Sequence, residues 1–348
     1  MKKTARECGL FGDCLTDLNK QEQRQKKMKY LFFDIECAGV FKNVAKICAF
    51  GYCLVDEKFN ILEKEDLLIN PKGNFHLTDR KGMRGLVLPY EYDKFKNYPT
   101  FPETVDKIRA LLEDEDTLVA GHATMNDVKY LNLETNRFSL PSFKFRFADT
   151  QFLYMNKIGD FSRQFALGTI AQDLGVEFTP HRAVDDAYAT MKIAEAICKE
   201  TGVGLVELIQ KYEVELGKIE NYEIEQMTSA AHKKHQADVL KRKELREQKR
   251  AEVHRFIDRE RRNRNKNGEL KGKRFCFSHA FEENVDEAKR LVKKAFALGC
   301  YYSYKAEECE YYIAYEGEGG ARLKSAVERK ARIFTPEEFS QFLKKDEA

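Results

Sequence analysis

The stretch Tyr30-Leu-Phe-Phe-Asp-Ile-Glu-Cys-Ala-Gly39 reads as a buried strand that carries two acids. Alternate side chains of a strand share a face, so Leu31, Phe33 and Ile35 point one way and Asp34 and Glu36 the other. Two carboxylates side by side, flanked by Phe32 and Phe33, repel each other and lose hydration, a combination that a divalent cation makes tolerable. A solvated strand end with two acids explains the same residues. The choice between the two depends on what the rest of the chain brings to the same place.

Outward from this stretch, Ile47–Val55 and Ile61–Asn70 also read as strands, and the short polar intervals predict an antiparallel meander. Beyond Pro102 the apolar residues Phe101, Val105, Ile108, Leu111 and Leu112 recur at helical spacing. Thr117–His122 reads as a strand, a helix starts near Asn126, Ser142–Ala148 is a further strand, and helices run through Leu167–Leu174 and Ala183–Cys198. Three strands followed by alternating helices and strands predict an α/β domain over residues 29–200, a mixed five-stranded sheet with flanking helices. Residues 203–228 read as helical. Residues 1–28 are a polar, basic lead-in without the apolar core of a secretory signal.

The 348 residues suit two domains. Composition shifts between residues 229 and 271 to Lys, Arg, Glu, Gln and Asn, with large aliphatic or aromatic residues few, chiefly Val239, Leu240, Leu245, Val253, Phe256 and Ile257. That is too little for a packed core, so residues 201–271 are expected to be a helical, highly charged basic linker ending near Asn263–Gly268. The formal net charge is +3, yet Ser229–Arg274 holds 17 Lys/Arg against 7 Asp/Glu. A basic segment of this kind suits an anionic polymer, and equally a solvated helix face. The nine cysteines form no Cys-x-x-Cys pair, which points to reduced thiols and a cytoplasmic chain, or a nuclear one in a eukaryote. No run approaches the ~18 apolar residues of a membrane span.

Two further motifs join the opening pair. Gly121-His-Ala-Thr-Met-Asn-Asp127 crosses from strand to helix and puts Asp127 in or near the first helical turn, where an acid also suits the helix dipole. His181-Arg-Ala-Val-Asp-Asp-Ala187 opens another helix, with Asp185 or Asp186 inside it. In this order, Asp-x-Glu, then Asp, then His-x4-Asp, the chain from Lys29 to Cys198 closely resembles the DEDDh family of 3′-to-5′ exonucleases, the group that contains the epsilon proofreading subunit of bacterial replicative polymerase. The resemblance implies an RNase H-like fold. It assigns Asp34, Glu36, Asp127 and Asp186 as metal ligands and His181 as general base, and its His-x4-Asp spacing selects Asp186 over Asp185. It also implies substrate contacts along Ile35, Cys37, Ala38 and Gly39, and near His122 and Asn126. The second motif departs from the family's frequent pattern around Asn126. Asp149-Thr150 matches another common family feature without a catalytic part.

Four carboxylates are hard oxygen ligands, suited to two Mg²⁺, with Mn²⁺ as substitute, rather than to zinc. Two such ions ~3.5–4 Å apart stabilise the attacking and leaving oxygens of a phosphodiester, and a histidine of near-neutral pKa can take the proton of the attacking water. The implied product is a nucleoside 5′-monophosphate released from a nucleic-acid 3′ end.

Residues 272–348 run strand Gly272–Ser278, helix through Ala288–Ala297, strand Glu310–Ala314, helix Leu323–Glu328, the stretch Ala331–Phe334 and helix Pro336–Leu343. This order, ending in Phe-Thr-Pro-Glu-Glu-Phe339, resembles a BRCT-type domain, in which Ser278 and Arg322 match positions able to bind a phosphate. His279 follows Ser278 where that family has glycine, so docking to protein or to DNA is the expected role. Such modules accompany DNA metabolism, which favours DNA in replication or repair as substrate. An exoribonuclease of the same active-site type, and a non-enzymatic recruitment scaffold for a repair or polymerase partner, are the alternatives.

Overall fold

The computed structural model describes residues 28–73, 92–177 and 182–345. The lead-in up to residue 27, Pro180 and His181 lie outside the described residues. The chain divides into two compact units, residues 1–235 and 236–348.

The first unit is built on β1 (Lys29–Phe41), β2 (Val44–Asp56) and β3 (Ile61–Leu68), an antiparallel meander, followed by helices α1 (Tyr92–Phe95) and α2 (Phe101–Leu112). Then come β4 (Thr117–Gly121), α3 (Met125–Arg137), β5 (Phe145–Asp149), α4 (Thr150–Ile158), α5 (Leu167–Asp173), α6 (Ala183–Thr201) and α7 (Leu205–Lys211). Strands β4 and β5 pair parallel on the other side of β1. The β1 sequence is apolar on both faces because both are covered. Leu31, Phe33 and Ile35 pack with Val105 and Ile108 of α2 and with Val128 and Leu131 of α3. Tyr30 and Phe32 pack with Met191, Ala194 and Ile197 of α6. Asp34 and Glu36 therefore continue the face that α6 covers.

Among the described residues the sheet has seven strands, not the five expected, in the order β3-β2-β1-β4-β5-β7-β8. Short β6 (Val214–Glu215) pairs with β9 (Thr228–Ser229), and β7 (Gly217–Glu220) and β8 (Glu223–Glu225) extend the main sheet, in a region the sequence reading made helical. Asn221 and Tyr222 both take positive φ, the geometry of a two-residue hairpin turn, and Ile219 alternates inward between Lys218 and Glu220. Gly217 lets β7 reach β5, since a Cβ there would lie 2.4 Å from the Phe147 ring.

One glycine governs where α6 sits. Gly51 of β2 faces Asp34 across one strand pair and Asp66 across the other, so all three share a face. A Cβ on Gly51 would lie 2.0 Å from the Ala183 carbonyl carbon and the Val184 nitrogen. The first turn of α6 rests on bare backbone.

The second unit contains most of α8 (Ala230–Glu260), β10 (Arg274–Phe277), α9 (Val285–Ala297), β11 (Tyr301–Tyr302), β12 (Tyr311–Ile313), α10 (Ala321–Glu328), β13 (Arg332–Phe334) and α11 (Pro336–Lys345). Its four strands are all parallel in the order β11-β10-β12-β13. Charged as α8 is, it is not without a core: Val253, Phe256 and Ile257 are buried against Phe275, Phe277, Leu291 and Phe339. The buried Glu282 carboxylate accepts from Tyr302 Oη at 2.6 Å and pairs with His254 Nε2 of α8 at 2.8 Å. Among the described residues, no helix is long and apolar enough to cross a membrane.

Two outcomes test this packing. Gly51→Ala must displace α6 and is expected to cost at least the ~1–3 kcal/mol of an overpacked core. Gly168→Ala, in open space within α5, should be neutral or slightly stabilising, both read from urea midpoints. Equal stability of Gly51→Ala and wild type would contradict the contact. Glu134 of α3 is fully buried, and burial pushes its carboxyl up to about 7 against the pull of Arg137, 2.9 Å away. The folded-state value exceeds the ordinary 4.5, so folding binds a proton and stability falls as pH rises from about 4.5 through 7. Glu134→Gln should therefore gain on wild type by roughly 2 kcal/mol between pH 5 and pH 8, measured by denaturant unfolding at each pH.

Candidate active site

Strand β1 pairs with β4 only from Lys29 to Phe32, and beyond that point the two strands part. The gap frees the Ile35 backbone N–H, which donates to Asp127 Oδ1 at 3.1 Å. Asp127 stands in the first turn of α3, and Asp149 fixes the approach to that turn. The Asp149 carboxylate accepts from the Ala123 nitrogen at 3.1 Å and the Thr124 nitrogen at 2.9 Å, while capping α4 through Gln151 and Phe152. Ala123, at φ 53°, makes the sharp bend that this anchoring holds.

From the opposite side, α6 resting on Gly51 delivers Asp186. Ligand oxygens of Asp34, Glu36 and Asp186 all lie within 4.8 Å of one another. The adjacent Asp185 turns elsewhere, its carboxylate 3.7 Å from Lys64 Nζ and 4.0 Å from Arg182 Nε. A one-residue step along a helix rotates the side chain by about 100°, which separates two acids that sequence chemistry alone leaves equivalent.

The electrostatics are those of a concentrated negative site. Burial raises the Asp34 carboxyl well above the usual range, reinforced by Asp127, Glu36, Asp186 and Asp66. Glu36 is pushed up to about 8, by burial first and then by Asp186 and Asp66. Burial also holds Asp127 well above its ordinary value, with the Ile35 N–H bond pulling the other way. Asp66 is an acid the sequence reading missed. Its signal lies in register, because it stands in the cross-strand row Asp34–Gly51–Asp66, and Arg182 Nη2 lies 3.3 Å from it. Three converging carboxylates in a partly desolvated pocket, with Asp127 beside them, fit a divalent cation such as Mg²⁺ or Mn²⁺, whose hard-oxygen preference they match.

The expected substrate contacts are placed unevenly. Ile35 and Ala38 have buried side chains, committed to the core and to a cluster with Cys48, Phe95 and Ala183, so only their backbones remain for a ligand. Cys37 and Gly39 are partly exposed, and Asn126 is exposed. Both ring nitrogens of His122 are occupied, by Thr150 Oγ1 at 3.1 Å and the Phe165 carbonyl at 3.1 Å, and burial lowers its pKa. That favours the neutral tautomer with Nε2–H donating to the carbonyl. His122 is thereby tied to the fold beneath the α3 turn. His181 lies outside the described residues.

This geometry coincides with a family match. Residues 31–194 match the exonuclease family RNase_T. The matched region lies within the first unit. No curated protein matches the chain. Among solved structures, a full-length 3′-exonuclease is 17% identical, over 59% of this chain and 92% of its own, with a TM-score of 0.46. The nuclease domain of 3′hExo, described as a DEDDh family member bound to rAMP, is 16% identical over 51% of this chain and 94% of its own, at 0.41. E. coli exonuclease I in complex with a dT13 oligonucleotide is 18% identical, over 51% of this chain and 42% of its own, at 0.42.

The division between the two neighbouring acids yields a direct test. Mn²⁺ or Mg²⁺ should raise the thermal midpoint of the wild type, by an amount equivalent to ~2.7 kcal/mol at a hundred times Kd, and EDTA should reverse it. Asp186→Asn is expected to abolish most of that rise, and Asp185→Asn to keep it.

Proposed function

We propose that the protein is a metal-dependent 3′-to-5′ exonuclease of DEDDh type that releases nucleoside 5′-monophosphates, with DNA the favoured substrate. The observation that carries this reading is the convergence of Asp34, Glu36 and Asp186 within 4.8 Å, inside an exonuclease domain. The antiparallel β3-β2-β1 meander continued by parallel β4 and β5 supports the RNase H-like assignment.

In this reading Asp34, Glu36, Asp127 and Asp186 hold two divalent cations. Bound there, the cations supply Lewis-acid stabilisation of charge on the scissile phosphate. The four carboxylates would hold the cations in place, so that an anionic phosphate, repelled by the carboxylates themselves, could be accommodated there for in-line attack. His181, on the segment leading into α6, accepts the proton of the attacking water, a step worth about 10²–10⁴ in rate. Asp149 and Gly51 act through others, by holding the turn that carries Asp127 and the helix that carries Asp186.

The preference for DNA rests on a BRCT-like reading of residues 272–348, supported by four parallel strands in the order β11-β10-β12-β13 with helices between them. The two phosphate-binding positions of that family are engaged internally. Ser278 Oγ donates to Glu318 Oε1 at 3.0 Å, and Arg322 turns inward to the Phe277 carbonyl, Cys276 Sγ and His279. A carboxylate where a phosphate would sit favours docking to protein or nucleic acid by other surfaces.

The test is an assay on 5′-labelled DNA and RNA, single- and double-stranded, with Mg²⁺, Mn²⁺ or EDTA. A metal-dependent ladder shortening from the 3′ end is expected. Asp34→Ala should lower the rate by at least about 10²–10³, the scale lost with one electrostatic stabiliser. Equal activity of that variant would overturn the assignment, and the ratio of DNA to RNA rates decides the substrate.

A further inference from the structure

The second unit holds a cavity of about 570 Å³ on the side of its sheet edged by β11, lined by Arg261, Arg264, Arg274 and Lys305 together with Tyr301, Tyr304 and Glu308. Four cations from three separate stretches of chain face one carboxylate. The cations are held in place rather than waving in solvent. Arg264 lies over the Tyr301 ring, its guanidinium carbon 3.6 Å from the ring centre, and donates to Tyr301 Oη at 2.7 Å and the Gly299 carbonyl at 2.9 Å. Arg261 lies over Tyr304 at 5.2 Å and beside Asp258 at 3.5 Å. Glu308 is shared between Arg274, at 3.2 Å, and Lys305, at 3.3 Å. Exposed ion pairs of this kind contribute at most about 1 kcal/mol each, so an incoming anion displaces them readily.

We propose that this cavity binds the phosphodiester backbone of a nucleic acid. Guanidinium groups braced on aromatic rings present their N–H edges as phosphate donors without the full entropy loss of a free side chain. Tyr301, 43% exposed, adds an aromatic edge beside them. Two observations favour a polyanion over a single phosphorylated residue. The nearby aliphatic hydroxyl, Ser303 Oγ, already donates to the Lys305 carbonyl at 2.8 Å, so no serine or threonine hydroxyl of the lining is left to complete a phosphomonoester cradle. The positive charge also continues past the cavity, with eight Lys/Arg against two Glu from Arg259 to Arg274. The site is separate from Ser278 and Arg322, whose polar groups are committed internally. The choice of nucleic acid as the polyanion rests on the exonuclease reading of the first unit.

The experiment uses the full chain with Asp34→Ala and EDTA to suppress cleavage. Binding of fluorescent single-stranded DNA and RNA 20-mers is followed by anisotropy from 50 to 300 mM KCl. Arg261→Glu with Lys305→Glu is expected to weaken binding at least tenfold and to reduce the slope of log K against log salt by about 1.4, or ~0.7 per lost phosphate contact. Glu308→Gln should tighten binding several-fold, a gain that misfolding does not mimic. Lys324→Glu with Arg329→Glu makes the same charge change on residues that do not line the cavity, and should have a clearly smaller effect. Equal losses in the two double variants, an unchanged affinity in Glu308→Gln, or a phosphoserine peptide that binds here while the oligonucleotides do not, would each overturn the proposal. Failure of the nuclease reading is recognised separately, as intact labelled strands after incubation of wild type with Mg²⁺ or Mn²⁺.

Discussion

The contact on which the first unit depends is the seating of a helix end on a strand with no side chain beneath it. With Gly51 bare, the backbone of Ala183 and Val184 comes down to the sheet at a spacing that any Cβ would forbid. That proximity brings Asp186 to Asp34 and Glu36 rather than leaving it a helix radius away. It also sets helix phase. With the first turn pinned, Asp186 faces the strand acids and Asp185 faces Lys64 and Arg182.

Gathering the acids carries an electrostatic cost. Burial raises the Asp34 and Glu36 carboxyls and acidic neighbours raise them further, so without a cation their ionised forms are disfavoured. The assembly is tolerable because rigid elements impose it. Strand β1 contributes two acids through its alternation, α3 contributes one through the gap beyond Phe32, and α6 contributes one through Gly51. Asp149 makes the second of these deliveries reproducible by saturating the amides of the turn that leads into α3. A site assembled this way is preorganised for a hard cation and strained without one.

Much of this was legible in the sequence. Alternation placed Asp34 and Glu36 on one face of β1, and helical spacing located α2, α3, α5 and α6, because those patterns are local. The elements that were missed depend on partners distant in the chain. The β7–β8 hairpin turns at Asn221-Tyr222, without the Asn-Gly that would have announced it, and Gly217 matters only because Phe147 lies against it. Helix α4 followed directly from its cap Asp149, a signal read only as a family feature. Asp66 entered the site through strand register, which no single strand encodes. The family resemblance implies substrate contacts along Ile35 and Ala38, and strand register commits their side chains to packing, which leaves their backbones for such a contact.

The charged helix α8 corrects a different kind of reading. Composition marked it as solvated, and its exposed face is. Yet Val253, Phe256 and Ile257, at i, i+3 and i+4, close the hydrophobic core of the second unit, and His254 holds the buried Glu282. A boundary drawn where the composition changes, at Gly272, would cut a domain open along its own core. The severed fragment would present Phe275, Phe277 and Leu291 to water and leave a buried carboxylate without its imidazole. For anyone isolating this unit, the safe edge lies in the middle of what looks, letter by letter, like disposable tether.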